Sequence, residues 1–228
     1  MGHEIEKVLI GRGHEVGLII DINNPQDLSE ENLKNIDVAI EFTSPHTAFD
    51  NVRKCLEWNT PVVCGSTGWN NKMEEAKKIC REKNGTFFYA SNFSVGVNVF
   101  FRINEELAKI MNSFPEYDIF MKEVHHIQKK DSPSGTAVTL AEGILENVDR
   151  KSSWVNHETL YPEALGILSV REGDVPGTHV VKYESDADTL EIIHSAKNRS
   201  GLAMGAVLAA EYAVKHKGIL TMADLLKF

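Results

Sequence analysis

Cysteine is scarce in this chain of 228 residues: Cys55, Cys64 and Cys80 are odd in number and form no C-x-x-C pair. That weighs against a disulfide framework or a cysteine-built metal centre and leaves free thiols in a reducing compartment. Basic residues are short too, 24 Lys and Arg against 33 Asp and Glu, for a formal net charge of −9. So acidic a chain is a poor general binder of nucleic acid, although a local cationic pocket stays open. No apolar run approaches the roughly 20 residues that span a bilayer, and the N-terminus lacks the apolar segment of a signal peptide. The expectation is a cytoplasmic protein without a membrane partner. The remainder is ordinary globular material, 42% hydrophobic and 25% charged, enough for one large or two small domains.

The first half alternates two periodicities. Short β-rich runs at residues 16–21 (VGLIID), 37–42 (DVAIEF), 61–64 (PVVC) and 86–89 (TFFY) are separated by helical patterns at 45–58 and 71–83. Apolar strands alternating with helices predict a parallel sheet covered on both faces. The second half differs. A helical pattern at 95–114 leads to a strand at 117–124, an amphipathic helix at 137–148, and strand-like runs at 167–171, 179–185 and 189–196 broken by Gly, Pro and Asp. These predict an antiparallel or mixed sheet in a second, α+β domain. Residues 201–216 (GLAMGAVLAAEYAVKH) form a helix of small side chains, suited to close packing.

The N-terminus reads as the latter part of a dinucleotide-binding βαβ unit: a helix from Met1-Gly2, a turn at Gly11 and Gly13, and a run ending in Asp21. In such a unit the acid reads the ribose hydroxyls, and Gly2 stands as the last of the glycines in G-x-G-x-x-G. Asp21 is equally well read as a plain strand-end acid. Gly65-Ser66-Thr67-Gly68 and Ala90-Ser91-Asn92-Phe93-Ser94 each follow a predicted strand, and Glu41-Phe42-Thr43 ends a third. Small polar residues at the carboxyl ends of parallel strands mark a ligand crevice.

The chemistry concentrates in H-H-I-Q-K-K-D-S-P-S-G-T, residues 125–136. On a strand running into this segment, Glu123 and His125 share a face. The segment ends where the helix at 137–148 begins, and the unpaired N–H groups of a helix start, with Ser134, Gly135 and Thr136 beside them, suit a carboxylate or phosphate. Lys129 and the histidines supply positive charge and protons. The same residues also read as an ordinary helix N-cap after a structural His-His pair. No third ligand stands at metal-binding spacing, so no metal is expected.

His125-His126-x-x-Lys129-x-Asp131-x-Pro133-Ser134-Gly135-Thr136-Ala137, Asn92-Phe93-Ser94-Val95-Gly96-Val97-Asn98 and Gly65-Ser66-Thr67-Gly68 together resemble the dihydrodipicolinate (4-hydroxy-tetrahydrodipicolinate) reductase family. Gly173-Asp174-x-x-Gly177-x-His179 and Leu190-Glu191-Ile192-x-His194 fit it as well, so the likeness runs along nearly the whole chain. It implies a Rossmann-like nucleotide-binding domain from residues 1–93 and 200–228, and an α+β substrate-binding and oligomerisation domain from 94–199. It further implies a homotetramer and reduction of a cyclic dicarboxylate by NADH or NADPH in the diaminopimelate/lysine pathway. By the same likeness His125 and Lys129 are catalytic. His126, Ser134, Gly135, Thr136 and Arg199 hold substrate, while Met1, Gly2, Asp21, Gly65, Ser66, Thr67, Ala90, Ser91, Asn92 and Phe93 hold cofactor.

One departure stands out: the family pattern places a strand and glycine-rich turn before the Met-Gly seen here as Met1-Gly2. Without that strand the chain is expected to bind NAD(P)H weakly or fold poorly, and added N-terminal residues to restore both. A homologue that binds dicarboxylates without catalysing reduction is the competing expectation.

Overall fold

The computed structural model describes all 228 residues, which divide into two compact units: Met1–Val95 with Ser200–Phe228, and Gly96–Arg199. The first unit opens with α1 (Gly2–Gly11) and a short α2 (Glu30–Leu33), whose Ser29 side chain accepts the Asn32 N–H. There follow β1 (Ala39–Glu41), α3 (Ala48–Glu57), β2 (Val62–Cys64), α4 (Met73–Glu82) and β3 (Thr86–Tyr89). Asn59 and Asn84 take left-handed conformations just past α3 and α4, the role Asn fills when Gly is absent from a helix end.

The second unit begins within α5 (Val95–Met111) and continues through β4 (Asp118–His125), α6 (Gly135–Leu145), β5 (Ser153–Val155), β6 (Ala164–Arg171), β7 (Thr178–Glu184) and β8 (Thr189–Ser195). The chain then returns to the first unit as α7 (Ser200–Ala213), β9 (Gly218–Leu220) and α8 (Met222–Leu226).

The first unit's sheet is parallel throughout, in the order β1-β2-β3-β9. Its strands alternate between two cores. Val63 and Phe88 pack with Ile5 of α1 and the small residues of α7; Val62, Cys64 and Phe87 pack with Val52 and Leu56 of α3 and Ala76 of α4. A sheet buried on both faces needs the unbroken apolar strands seen in the sequence. Against α7 the backbones close up so far that a Cβ on Gly205 would collide with the Phe93 carbonyl.

Residues 16–21 correct the sequence reading. They form no strand, because no strand lies beside them and a strand is defined by its ladder. Leu18 packs into the core beside α3, while Ile19 and Ile22 stay exposed and β1 pairs on one side only. Apolar content alone did not distinguish an unpaired segment from a paired strand. The sequence also left β5, β9, α2 and α8 unassigned, each of five residues or fewer.

The second unit's sheet is mixed, in the order β5-β6-β4-β7-β8, with β5, β6 and β4 parallel and β7 and β8 antiparallel to their neighbours. Ile119 and Met121 of β4, Ile167 of β6 and Val181 of β7 meet Leu140, Ala141 and Ile144 of α6. Each larger aliphatic side chain buried there contributes roughly 1.5–3 kcal/mol. Along β4 the inward positions run Ile119, Met121, Glu123, His125, so the buried face turns from apolar to ionisable at its carboxyl end.

Candidate active site

β4 places the chemistry. Glu123 and His125 occupy successive inward positions, both buried, and Glu123 accepts a hydrogen bond from His125 Nδ1. Register sets Arg171 of β6 opposite His125 and His179 of β7 opposite Glu123. Arg171 Nη2 lies 2.9 Å from Glu123 Oε1, and the His125 and His179 rings meet edge to face at 5.0 Å. Burial pushes the Glu123 carboxyl up, but the His125 hydrogen bond and the Arg171 guanidinium outweigh that and hold it at about 2. His179 goes the other way. Burial, then the neighbouring His125, takes its imidazole down to about 4.

The loop after β4 carries Lys129, whose ammonium reaches both Asp131 oxygens at 2.9 Å. Ser134 is buried at the head of α6, where its Oγ accepts the Ala137 N–H at 3.2 Å and lies 3.0 Å from His179 Nε2. A Cβ on the exposed Gly135 would meet nothing within 4 Å, leaving the first turn open to a ligand. His126 is half-buried with Nδ1 lacking a hydrogen-bond partner, and Thr136 is half-buried in the first turn. Arg199 is exposed at the last residue of the unit, and nothing ties it to the His125 group.

In the first unit the carboxyl ends of β1, β2 and β3 are knitted together. Glu41, buried, accepts from the Thr43 hydroxyl and backbone N–H and from the Cys64 thiol, and the Thr43 N–H also donates to Ser66 Oγ at 2.8 Å. Gly65 sits where a Cβ would strike the Phe42 ring, and Phe93 is a core residue between Phe42 and Phe88. Ser66 and Phe93 thus spend their side chains on the fold, while Thr67 and Ser91 are exposed and Ala90 and Asn92 half-buried. Asp21 is exposed, its carboxylate accepting the Asn23 N–H at 2.7 Å. Met1 precedes α1 without a side-chain cap, and Gly2 is exposed in open space.

Sequence reasoning paired His125 with Lys129 but passed over Arg171, and it left Glu123 and His179 without a role. Glu123 was legible: an acid among inward positions otherwise apolar needs a partner. Arg171 and His179 are 46 and 54 residues beyond His125, and only strand register brings them in. Glu123, His125 and His179 also bring ligand atoms within 4.8 Å of one another, a grouping that spacing did not disclose.

Residues 1–93 match the family model described as Dihydrodipicolinate reductase, N-terminus, and residues 96–226 match Dihydrodipicolinate reductase, C-terminus. The chain belongs to the dihydrodipicolinate reductase family. Its relatives include the 4-hydroxy-tetrahydrodipicolinate reductase of Christiangramia forsetii, 45% identical over 99% of this chain and 93% of that protein. The enzyme of the same name from Bdellovibrio bacteriovorus is 41% identical over 84% of this chain and 76% of its own. Among solved structures, the dipicolinate-bound dihydrodipicolinate reductase from Paenisporosarcina sp. TG-14 shares the fold, with TM-score 0.75 and 21% identity over 98% of this chain and 94% of that one. As a dihydrodipicolinate reductase family member the chain is an oxidoreductase with a nicotinamide cofactor. The exposed Thr43, Thr67 and Ser91 at the carboxyl ends of the parallel strands fit such a cofactor. No helix is long and apolar enough to cross a membrane.

Proposed function

We propose that this chain reduces 4-hydroxy-tetrahydrodipicolinate to tetrahydrodipicolinate with NADH or NADPH, in the diaminopimelate/lysine pathway. The observation that carries the reading is the group around His125: a buried, carboxylate-backed imidazole, an ammonium on the adjoining loop, and an open helix start suited to a carboxylate. Exchange of a hydroxyl for hydrogen takes up one hydride and one proton and releases water. The reduced nicotinamide supplies the hydride when bound. Hydride addition builds electron density on the conjugated imine, and a positioned proton donor lowers that barrier. His125 and Lys129 are that proton-handling pair.

His126, Ser134, Gly135 and Thr136 bind a substrate carboxylate at the start of α6, where N–H groups and the helix dipole favour an anion. Arg199 meets a second carboxylate. Residues 1–93 and 200–228 form the cofactor domain, with Met1, Gly2, Asp21, Gly65, Ser66, Thr67, Ala90, Ser91, Asn92 and Phe93 around the dinucleotide. Residues 94–199 bind substrate and join a homotetramer in the cytoplasm. The test follows NADH and NADPH absorbance with freshly prepared substrate on the 228-residue chain. Reduction abolished in His125→Ala and Lys129→Ala supports the assignment; near-full activity in both refutes it. A dicarboxylate binder without turnover would instead bind dipicolinate and leave absorbance unchanged.

A further inference from the structure

Glu123 is fully buried on the inward face of β4, where a carboxylate is costly unless its charge is met. One oxygen accepts a hydrogen bond from His125 Nδ1, and the other, Oε1, has no hydrogen bond but an ion-pair partner, Arg171 Nη2 at 2.9 Å. An ionised carboxylate only accepts hydrogen bonds, so Nδ1 of His125 carries the proton and Nε2 is left as the nitrogen that exchanges one. Across the ring, a Cβ on Gly177 would come within 3.0 Å of His125 Nε2 and 3.2 Å of Cδ2. Gly177 also has φ of +152°, a conformation that L side chains rarely adopt. The imidazole therefore has a carboxylate on one side and bare backbone on the other.

Arg171 does more than neutralise Glu123. Its Nη2 also donates to the Asp131 carbonyl at 2.7 Å, and its Nη1 donates to the Val170 carbonyl at 2.8 Å. Asp131 in turn holds the Lys129 ammonium. One guanidinium thus connects His125, through Glu123, to the loop that carries Lys129, in an order of alternating charge: Glu123, Arg171, Asp131, Lys129.

We propose that Glu123 and Arg171 are positioning residues for proton transfer: Glu123 fixes the tautomer and orientation of His125, and Arg171 locks Glu123 and the Lys129 loop into one unit. The proposal rests on the reading of His125 and Lys129 as the proton-handling pair. The other ionisable groups about this unit are His179 of β7, with His194 of β8 beyond it, and Asp131 of the loop. A metal held by Glu123, His125 and His179 is the competing use of the same atoms. The Arg171 guanidinium beside Glu123 disfavours it by placing positive charge where a cation would sit.

The test uses the full chain, 15N-labelled at histidine, with His125 assigned through His125→Asn. Glu123→Gln keeps the shape and removes the charge. Its expected results are a fall in kcat of roughly 100-fold, KM within about threefold, and a His125 spectrum shifted from the Nδ1–H toward the Nε2–H tautomer. Glu123→Asp should recover part of the rate. Arg171→Lys retains charge but loses the two-sided fork, and should lower kcat about 10-fold with the Nδ1–H tautomer kept. If Glu123→Gln does not fold, the Arg171→Lys result decides. Wild-type kcat in the variant that decides, or a His125 tautomer unchanged in Glu123→Gln, overturns the proposal. So does Zn2+ at micromolar concentration shifting His125 and His179 together in the wild-type chain. If His125→Asn itself turns over at the wild-type rate, the proton-handling reading fails and takes the proposal with it. An inactive His125→Asn beside a fully active Glu123→Gln sinks the positioning role alone.

Discussion

Ser134 Oγ lies 3.0 Å from His179 Nε2, so the hydroxyl that caps α6 also ties that helix to β7. Ser134→Ala leaves the Ala137 N–H without its cap and the buried imidazole without its neighbour. Lost caps cost about 0.5–2 kcal/mol and a stranded buried polar group about 1–3. The expected outcome is a lower urea midpoint at unchanged m-value, with weaker dipicolinate binding by calorimetry. Unaltered stability would show that the pairing carries no load.

His179 links stability to acidity. Its folded value of about 4 lies below the ordinary 6.5, so between those values the unfolded chain takes up a proton that the folded chain refuses. Stability is therefore complete above pH 6.5, falls as pH drops toward 4, and loses roughly 3 kcal/mol from this group. Glu123, held at about 2 against an ordinary 4.5, continues the loss in that lower window. Urea unfolding at a series of pH values checks both. A His179→Gln chain should show a shallower slope between pH 6.5 and 4, what is left coming from His194, whose imidazole burial also lowers, and keep the slope below it.

Gly205 and Gly201 of α7 make a matched pair. A Cβ on Gly205 meets the Phe93 carbonyl, whereas one on Gly201 meets only Ser94 Oγ at 3.6 Å. Gly205→Ala should destabilise by about 1–3 kcal/mol or more, because backbone cannot yield as a side chain does. Gly201→Ala should be neutral or stabilising by up to about 1 kcal/mol, as expected of Ala in a helix. Equal melting temperatures for the two variants would contradict the packing.

The three thiols are buried and free. Burial and then Glu41 drive Cys64 upward, burial and then Glu41 bring Cys55 to about 12, and burial raises Cys80. Thiolate is the reactive form, so a disulfide reagent at pH 8 should label none of them in native protein within minutes and all of them in guanidinium. Rapid labelling of the native chain would rule this out.

What the sequence disclosed depended on distance along the chain. Helices α3, α4, α5, α6 and α7 were readable through their 3.6-residue periodicity, and strands β3, β4 and β7 as short runs of β-forming residues. The small-residue run of α7 announced close packing, and Gly205 against Phe93 is that contact. Residues 16–21 were misread because an unpaired segment and a ladder strand can share a composition. The segment 125–136 stood out through residue types alone. Its supports did not, since Arg171 and His179 reach His125 by strand register, which no local pattern encodes.

β4 lies at the middle of the five-stranded sheet, paired with β6 on one side and β7 on the other. The peptide groups of Glu123 and Val124, just before His125, therefore sit between two ladders that fraying from the sheet edges reaches last. Their amides should be among the slowest in the chain to exchange with deuterium, opening only when the whole unit unfolds. Substitutions that merely soften the outer strand β8 should leave those amides protected. Ones that empty the core beneath β4, at Ile119 or Leu140, should release the site and the fold together.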